Sequence, residues 1–126
     1  MATKTTTKPE HETVTITIDA AGKKLGRVAS DAAAHLLGKN RTDFAKNTVA
    51  PVVVVITNAS KLDIHPRKEN ELYTRYSGYP GGIKQETLAK RLERKGHADI
   101  LEIAIRGMLP RNRLRANVMK HLTIQA

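Results

Sequence analysis

Val52-Val53-Val54-Val55-Ile56 is the stretch whose reading decides the fold. Five β-branched residues in a row, without polar alternation, read as a strand covered on both faces. Upstream, Val14-Thr15-Ile16-Thr17-Ile18 alternates β-branched residues and reads as a second strand. Between them, Leu25, Val28 or Ala29, Ala32 or Ala33, and Leu36 recur at helical spacing. Gly38 then supplies a left-handed helix stop. Strand, helix, strand predicts a parallel pair joined by a crossover helix, and so an α/β domain.

Working outward, Leu62 to Ile64 adds a short extended piece, and His65 to Ile83 changes character. Pro66, Ser77, Gly78, Pro80, Gly81 and Gly82 predict a long irregular loop there, and loops of that length are commonly functional. From Gln85 a helix is expected, with Leu88, Arg91, Leu92 and Lys95 on it and Gly96 ending it. Asp99 is placed to cap a second helix with Ile100, Ile103, Ala104 and Met108 on its inner side, broken by Pro110. Leu114, Val118, Met119 and Leu122 suit a short last helix, and Thr123-Ile124 a terminal strand. Residues 1–12 are Thr, Lys, Pro and Glu with little to bury, which predicts a disordered tail ahead of a single domain over 13–126.

The chain has 126 residues, with 22 Lys+Arg against 12 Asp+Glu, a formal net charge of +10. Self-repulsion of that size is relieved by a polyanion, which makes nucleic acid the first candidate partner. No apolar run approaches the roughly 18–20 residues a membrane span needs, and the first residues are polar throughout, unlike a signal peptide. The absence of cysteine excludes disulfides, thiolate zinc sites and cysteine nucleophiles, and fits a reducing cytoplasm.

Local signs of catalysis are missing. His11, His35, His65, His97 and His121 are dispersed without a His-x-x-x-His pair, and no carboxylates pair by spacing, so neither metal nor cofactor is expected. Gly22-x-x-x-Gly26 lies between strand and helix, where amides can bind phosphate. It matches no nucleotide-binding fingerprint, and an ordinary turn is the better reading. Lys23, Lys24 and Arg27 there remain able to touch a backbone phosphate. Aromatic residues make up only 3% of the chain, which argues against a protein specialised in stacking single-stranded bases.

Two basic stretches stand out. Ile103-Ala-Ile-Arg-Gly-Met-Leu-Pro-Arg-Asn-Arg-Leu-Arg115 runs from an apolar anchor into Arg106, Arg111, Arg113 and Arg115, and no carboxylate side chain follows Glu102. A solvated face usually mixes signs, and arginine suits bidentate phosphate contact, so this comb reads as a nucleic-acid surface. The other stretch is Tyr73-Thr-Arg-Tyr-Ser-Gly-Tyr-Pro-Gly-Gly-Ile-Lys84. Its glycines permit close backbone approach and its cations bring charge. Equally, it reads as a solvent loop with its tyrosines folded onto the core.

Three motifs occur in order: Asp19-Ala-x-Gly-Lys-x-Leu-Gly-Arg27, Tyr76-Ser-Gly-Tyr-Pro-Gly-Gly-Ile-Lys84, and Glu102-Ile-Ala-Ile-Arg-Gly-Met-Leu-Pro110. With them the chain resembles the bacterial form of the large-subunit ribosomal protein L-thirteen family, over roughly Ile16 to Ile124. The resemblance implies a three-layer α/β/α domain with a small sheet, largely parallel or mixed. It implies a structural constituent of the large ribosomal subunit that binds ribosomal RNA and supports assembly without catalysis, in the cytoplasm. Its partners would be large-subunit ribosomal RNA and neighbouring ribosomal proteins, with no membrane and no small-molecule substrate. The expected RNA contacts are Arg75, Tyr76, Ser77, Gly78, Tyr79, Gly81, Gly82 and Lys84 in one stretch. Arg106, Gly107, Met108, Pro110, Arg111, Arg113, Arg115 and Lys120 form the other, with Lys39 and Arg41 from the first loop. Two positions depart from the commoner pattern: Ala50-Pro51 replaces a Gly-Asp pair, and Leu114-Arg115-Ala116 replaces Leu-Gly-Arg. The rivals from other classes are a small nucleotide-dependent enzyme using the Gly22–Gly26 turn and a DNA-binding nucleoid protein.

Overall fold

In the computed structural model, residues 12–126 are described, and the tail expected over 1–12 lies, but for Glu12, outside them. The crossover unit forms as the apolar pattern predicts. Strand β1 (Val14–Asp19) leads into helix α1 (Leu25–Leu37), and the chain returns as strand β2 (Val52–Thr57). β1 and β2 pair in parallel, with Ile16 beside Val54 and Ile18 beside Ile56. The chain ends with strand β5 (Leu122–Ile124), parallel to the other edge of β2, so the order is β1-β2-β5. The whole predicted stripe of α1 is buried: Leu25, Val28, Ala29, Ala32, Ala33 and Leu36. The α/β class and the largely parallel sheet are therefore as the sequence indicates.

The valine run needs correction. Val52, Val54 and Ile56 are buried, but Val53 and Val55 between them are only half-buried. Register places Thr15 and Thr17 of β1 and Thr123 of β5 beside these two valines, and all three threonines are exposed. Burial on a sheet face depends on the neighbouring strands as well as on the strand itself. Threonines on both flanks keep this face open to water.

The long loop expected over His65–Ile83 is largely ordered. A one-turn helix α2 (Pro66–Glu69) is followed by strand β3 (Leu72–Tyr76), which pairs antiparallel with β4 (Ile83–Thr87). Only residues 77–82 remain as a connection, so the turn residues mark a hairpin tip and not a loop. The helix expected from Gln85 begins at Leu88, because Gln85 belongs to β4.

Helix α3 (Leu88–Met108) is broken at Gly96, whose φ of 81° and ψ of −179° are non-helical. Thr87 caps it, its hydroxyl accepting from the Lys90 amide at 3.4 Å. Asp99 does not cap the second arm as expected; its carboxylate takes Arg91 instead, at 2.6 Å. On that arm Ile100, Leu101 and Ile105 are fully buried, whereas Met108, expected inside, is 43% exposed. The last helix, α4 (Arg115–Met119), buries Val118. One apolar cluster joins these elements: α1 and the inner side of β2 meet Leu88, Ile100, Leu101 and Ile105 of α3.

Candidate nucleic-acid interface

The hairpin separates its residues by parity, as strands must. Leu72, Thr74 and Tyr76 share one face with Ile83, Gln85 and Thr87, and Leu72, Tyr76 and Ile83 are all well exposed. Tyr73, Arg75, Lys84 and Glu86 occupy the other face, which turns toward α3. There Arg94 grips Glu86 through two bonds of 3.0 and 2.8 Å, and the Arg91 guanidinium lies 5.7 Å from the Tyr73 ring centroid. The Arg94 bond holds the Glu86 carboxyl below the usual carboxylate range, while burial raises the Tyr73 phenol. Beyond these anchors, Arg75 and Lys84 stand directly opposite one another in the ladder.

The tip is a tightly closed turn. The Ser77 amide donates to the Gly82 carbonyl at 3.2 Å and the Gly82 amide to Tyr79 at 2.9 Å. A Cβ on Gly82 would overlap the Ser77 hydroxyl and lie 2.9 Å from the Tyr79 carbonyl oxygen. Tyr79 is 75% exposed, so it is not folded onto the core. Of the two readings left open, the solvent loop with buried tyrosines fails for Tyr76 and Tyr79; only Tyr73 packs inward.

The second stretch sits at the end of α3. Arg106, Arg111 and Arg113 are exposed, and Asn112 ties the turn by accepting from the Arg115 amide at 3.1 Å. Glu102, the last acid of the chain, lines a shallow cleft with Arg106, Arg113 and Arg115. No ion pair forms there among the described residues. Lys39 and Arg41 prove different from each other. The guanidinium of Arg41 is held by both oxygens of Asp43 at 2.8 and 3.0 Å, while Lys39 is exposed beside Phe44 and the α3 terminus.

Three-dimensional assembly adds residues that spacing did not reveal. A cleft of about 450 Å³ joins the loop after α1 to the Met108–Arg115 segment, with Lys39, Lys46 and Arg115 around Phe44, Met108 and Pro110. Met108 also borders a second, open cleft with Lys24, Arg27 and Lys68, where Asp31 is the one acid among the described residues lining it. Lys24, Lys39, Lys46, Lys68, Arg27 and Arg115 thus flank one exposed methionine from two sides. Phe44, Lys46 and Lys68 carried no motif; only the fold brings them to this place. No residue of the β3–β4 hairpin lines either of these clefts.

Asp19 and Gly22 of the first motif are structural. Asp19 accepts from the Ala21 amide at 3.1 Å and from the Asn58 side chain at 2.9 Å. The Gly22 amide is spent on the Lys61 carbonyl at 3.0 Å, which leaves the Gly22–Gly26 segment as a braced turn. Among the described residues no cluster of His, Asp or Glu is suited to a metal ion, and no helix is long and apolar enough to cross a membrane.

Comparison with known proteins decides the family. The model of the family described as ribosomal protein L13 matches residues 13–126. The chain belongs to the ribosomal protein L13 family. Among curated relatives, the large ribosomal subunit protein uL13 of Thermus thermophilus is 43% identical over 112 residues, covering 88% of this chain and 79% of the relative. The uL13 of Synechocystis is 43% identical over 110 residues, covering 86% and 72%. That of Dehalococcoides mccartyi strain BAV1 is 41% identical over 108 residues, covering 85% and 75%. A member of the L13 family is a structural component of the large ribosomal subunit and not an enzyme, which removes the nucleotide-dependent rival.

Proposed function

We propose that this chain binds large-subunit ribosomal RNA through its cations and supports subunit assembly. It would contact folded RNA chiefly through phosphates and shape. One observation carries the reading. Ion pairs among the described residues use Arg41, Arg91, Arg94 and Lys95, and none uses Lys39, Arg75, Lys84, Arg106, Arg111, Arg113, Arg115 or Lys120. Three acids, Asp43, Glu86 and Asp99, brace the fold through these pairs, and the candidate contact cations are left for an external polyanion. The glycine-rich tip at Ser77–Gly82 and the Gly107–Pro110 segment supply close backbone approach beside them. Neighbouring large-subunit proteins and a cytoplasmic location complete the reading.

The test is binding to a large-subunit RNA transcript across a range of salt. Counterion release makes the affinity fall steeply and linearly on logarithmic axes. Binding insensitive to salt would overturn the phosphate-contact mode, and equal affinity for arbitrary duplex DNA would favour a nucleoid role instead.

A further inference from the structure

We propose that the cleft between Phe44 and Met108 receives one unpaired base of the RNA, with its flanking phosphates on Lys39, Lys46 and Arg115. The inference rests on the RNA-binding reading above and names a site within it. Phe44 is the one phenylalanine of the chain, and it is 42% exposed on a loop with no strand or helix of its own. Met108 is similarly exposed and lines the same cleft, so two large apolar side chains are offered to one occupant. Leu36, Pro110, Leu114 and Val118 are among the other apolar residues around it, and the cleft of about 450 Å³ is within the size range of small-ligand sites.

The charge of the rim selects the occupant. Among the described residues, Lys39, Lys46 and Arg115 line this cleft and no carboxylate does. Past Met108 the cationic surface continues to Lys24, Arg27 and Lys68, as a backbone entering and leaving the cleft would require. A flat apolar body attached to anionic linkers fits this arrangement, and a nucleotide is such a ligand. Recognition of RNA by single splayed bases on an aromatic face is a general mode. Low aromatic content argues against a row of such platforms, but one suffices for one base.

A polar wall is also present. The Asn112 amide oxygen accepts from the backbone N–H of Arg115, and a backbone amide can only donate. That bond fixes which way the side-chain amide points and leaves its NH2 free to donate to a base edge. Thr48, on the opposite loop, donates its hydroxyl to the Ala45 carbonyl at 3.4 Å and keeps its lone pairs. The cleft therefore offers a stacking face, a donor and an acceptor.

The experiment places p-benzoylphenylalanine at position 44, assembles the protein into large subunits, and irradiates them. The expected result is a crosslink to RNA at a single nucleotide. A crosslink to a ribosomal protein would overturn the proposal in favour of a peptide occupant. In parallel, Phe44→Leu and Phe44→Tyr are compared for binding to the large-subunit RNA transcript. Phe44→Leu keeps apolar bulk but loses the flat face, and should weaken binding roughly tenfold, the worth of one stacked base. Its salt slope should match wild type, since no charge is removed. Phe44→Tyr should bind nearly as wild type. Equal losses in both variants, or no loss in either, would overturn the stacking site while leaving RNA binding intact. A wild-type protein that fails to bind the transcript would overturn both.

Discussion

Arg91 and Asp99 meet across the break at Gly96, the guanidinium Nε donating to the carboxylate at 2.6 Å. In a straight helix, residues eight apart are about 12 Å apart along the axis. The contact therefore needs the bend, and in turn holds its angle. Lys95 adds a weaker contact at 3.6 Å. Both partners are about four-fifths covered, so solvent screens the pair only partly. Asp99→Asn should lower the unfolding free energy by about 1–2 kcal/mol, read from urea midpoints. The Arg91 hydrogen bond, more than any other influence, holds the Asp99 carboxyl below its ordinary value. A depressed acid stabilises fully above its unfolded pKa, about 3.9, and loses that contribution as pH falls through the folded value. The gap between wild type and Asp99→Asn should be flat near neutrality and shrink below about pH 4. A gap that persists into strong acid would trace the loss to something other than the ion pair.

The cross-strand pair Arg75 and Lys84 makes an opposed prediction for stability and binding. Like charges directly opposite in a ladder cost a few tenths to about 1 kcal/mol. A phosphate between them would turn that cost into affinity. Lys84→Glu should stabilise the free protein slightly and weaken RNA binding at the same time. Thermal unfolding and transcript binding on one preparation check both halves. A variant that gains stability and still binds RNA as wild type would show that this pair does not meet a phosphate.

The apolar pattern made the crossover unit readable because α1 buries its stripe against one cluster, and 3.6-residue spacing reports that directly. The break in α3 was equally open to reading, since Gly96 interrupts an otherwise helical composition. What failed were places where local chemistry is answered by a distant neighbour. Asp99 has a good capping side chain, but a guanidinium eight residues back outcompetes the backbone amides for it. Val53 and Val55 look like core until Thr15, Thr17 and Thr123 come to lie beside them. The hairpin was hidden because the glycines and Pro80 of its tip dominate the composition, while β3 and β4 supply only five residues each. Of the candidate contacts, the arginine comb could be read from its one-signed charge. Phe44, Lys46 and Lys68 carry no spacing signal, because their neighbours come from other parts of the chain.

The arginines should divide sharply in a salt titration. Arg41 is already bidentate to Asp43, and that bond, ahead of any other influence, raises its guanidinium pKa. Arg111 and Arg113 are exposed with no ion pair to a described carboxylate. Alanine at Arg111, Arg113 and Arg115 together should flatten the logarithmic salt slope by roughly 0.7–0.9 for each phosphate that is no longer neutralised. Arg41→Ala should change it by much less. Equal effects from Arg41 and from any one member of the comb would mean that RNA breaks the Asp43 pair on binding.

Gly38 fixes where the Phe44 loop leaves α1, and the geometry there tolerates no side chain. Its φ is 74°, its amide donates to the His35 carbonyl at 2.9 Å, and the Lys39 amide closes the cap on Ala34 at 3.1 Å. A Cβ at this position would stand 2.8 Å from the Cβ of Ala50, just before β2. Gly38→Ala therefore carries two penalties, left-handed strain of about 1 kcal/mol and a contact that must push β2's entry aside. A total loss of roughly 2–3 kcal/mol is expected in urea unfolding. The double variant Gly38→Ala, Ala50→Gly removes the overlap but not the strain. It should recover part of the loss, less whatever the new glycine costs in chain entropy. Because the loop from Lys39 to Val49 hangs between these two residues, Gly38→Ala should also weaken RNA binding more than its stability loss predicts at temperatures where it is fully folded. Unchanged affinity in the folded variant would separate the cap from the placement of Lys39, Phe44 and Lys46.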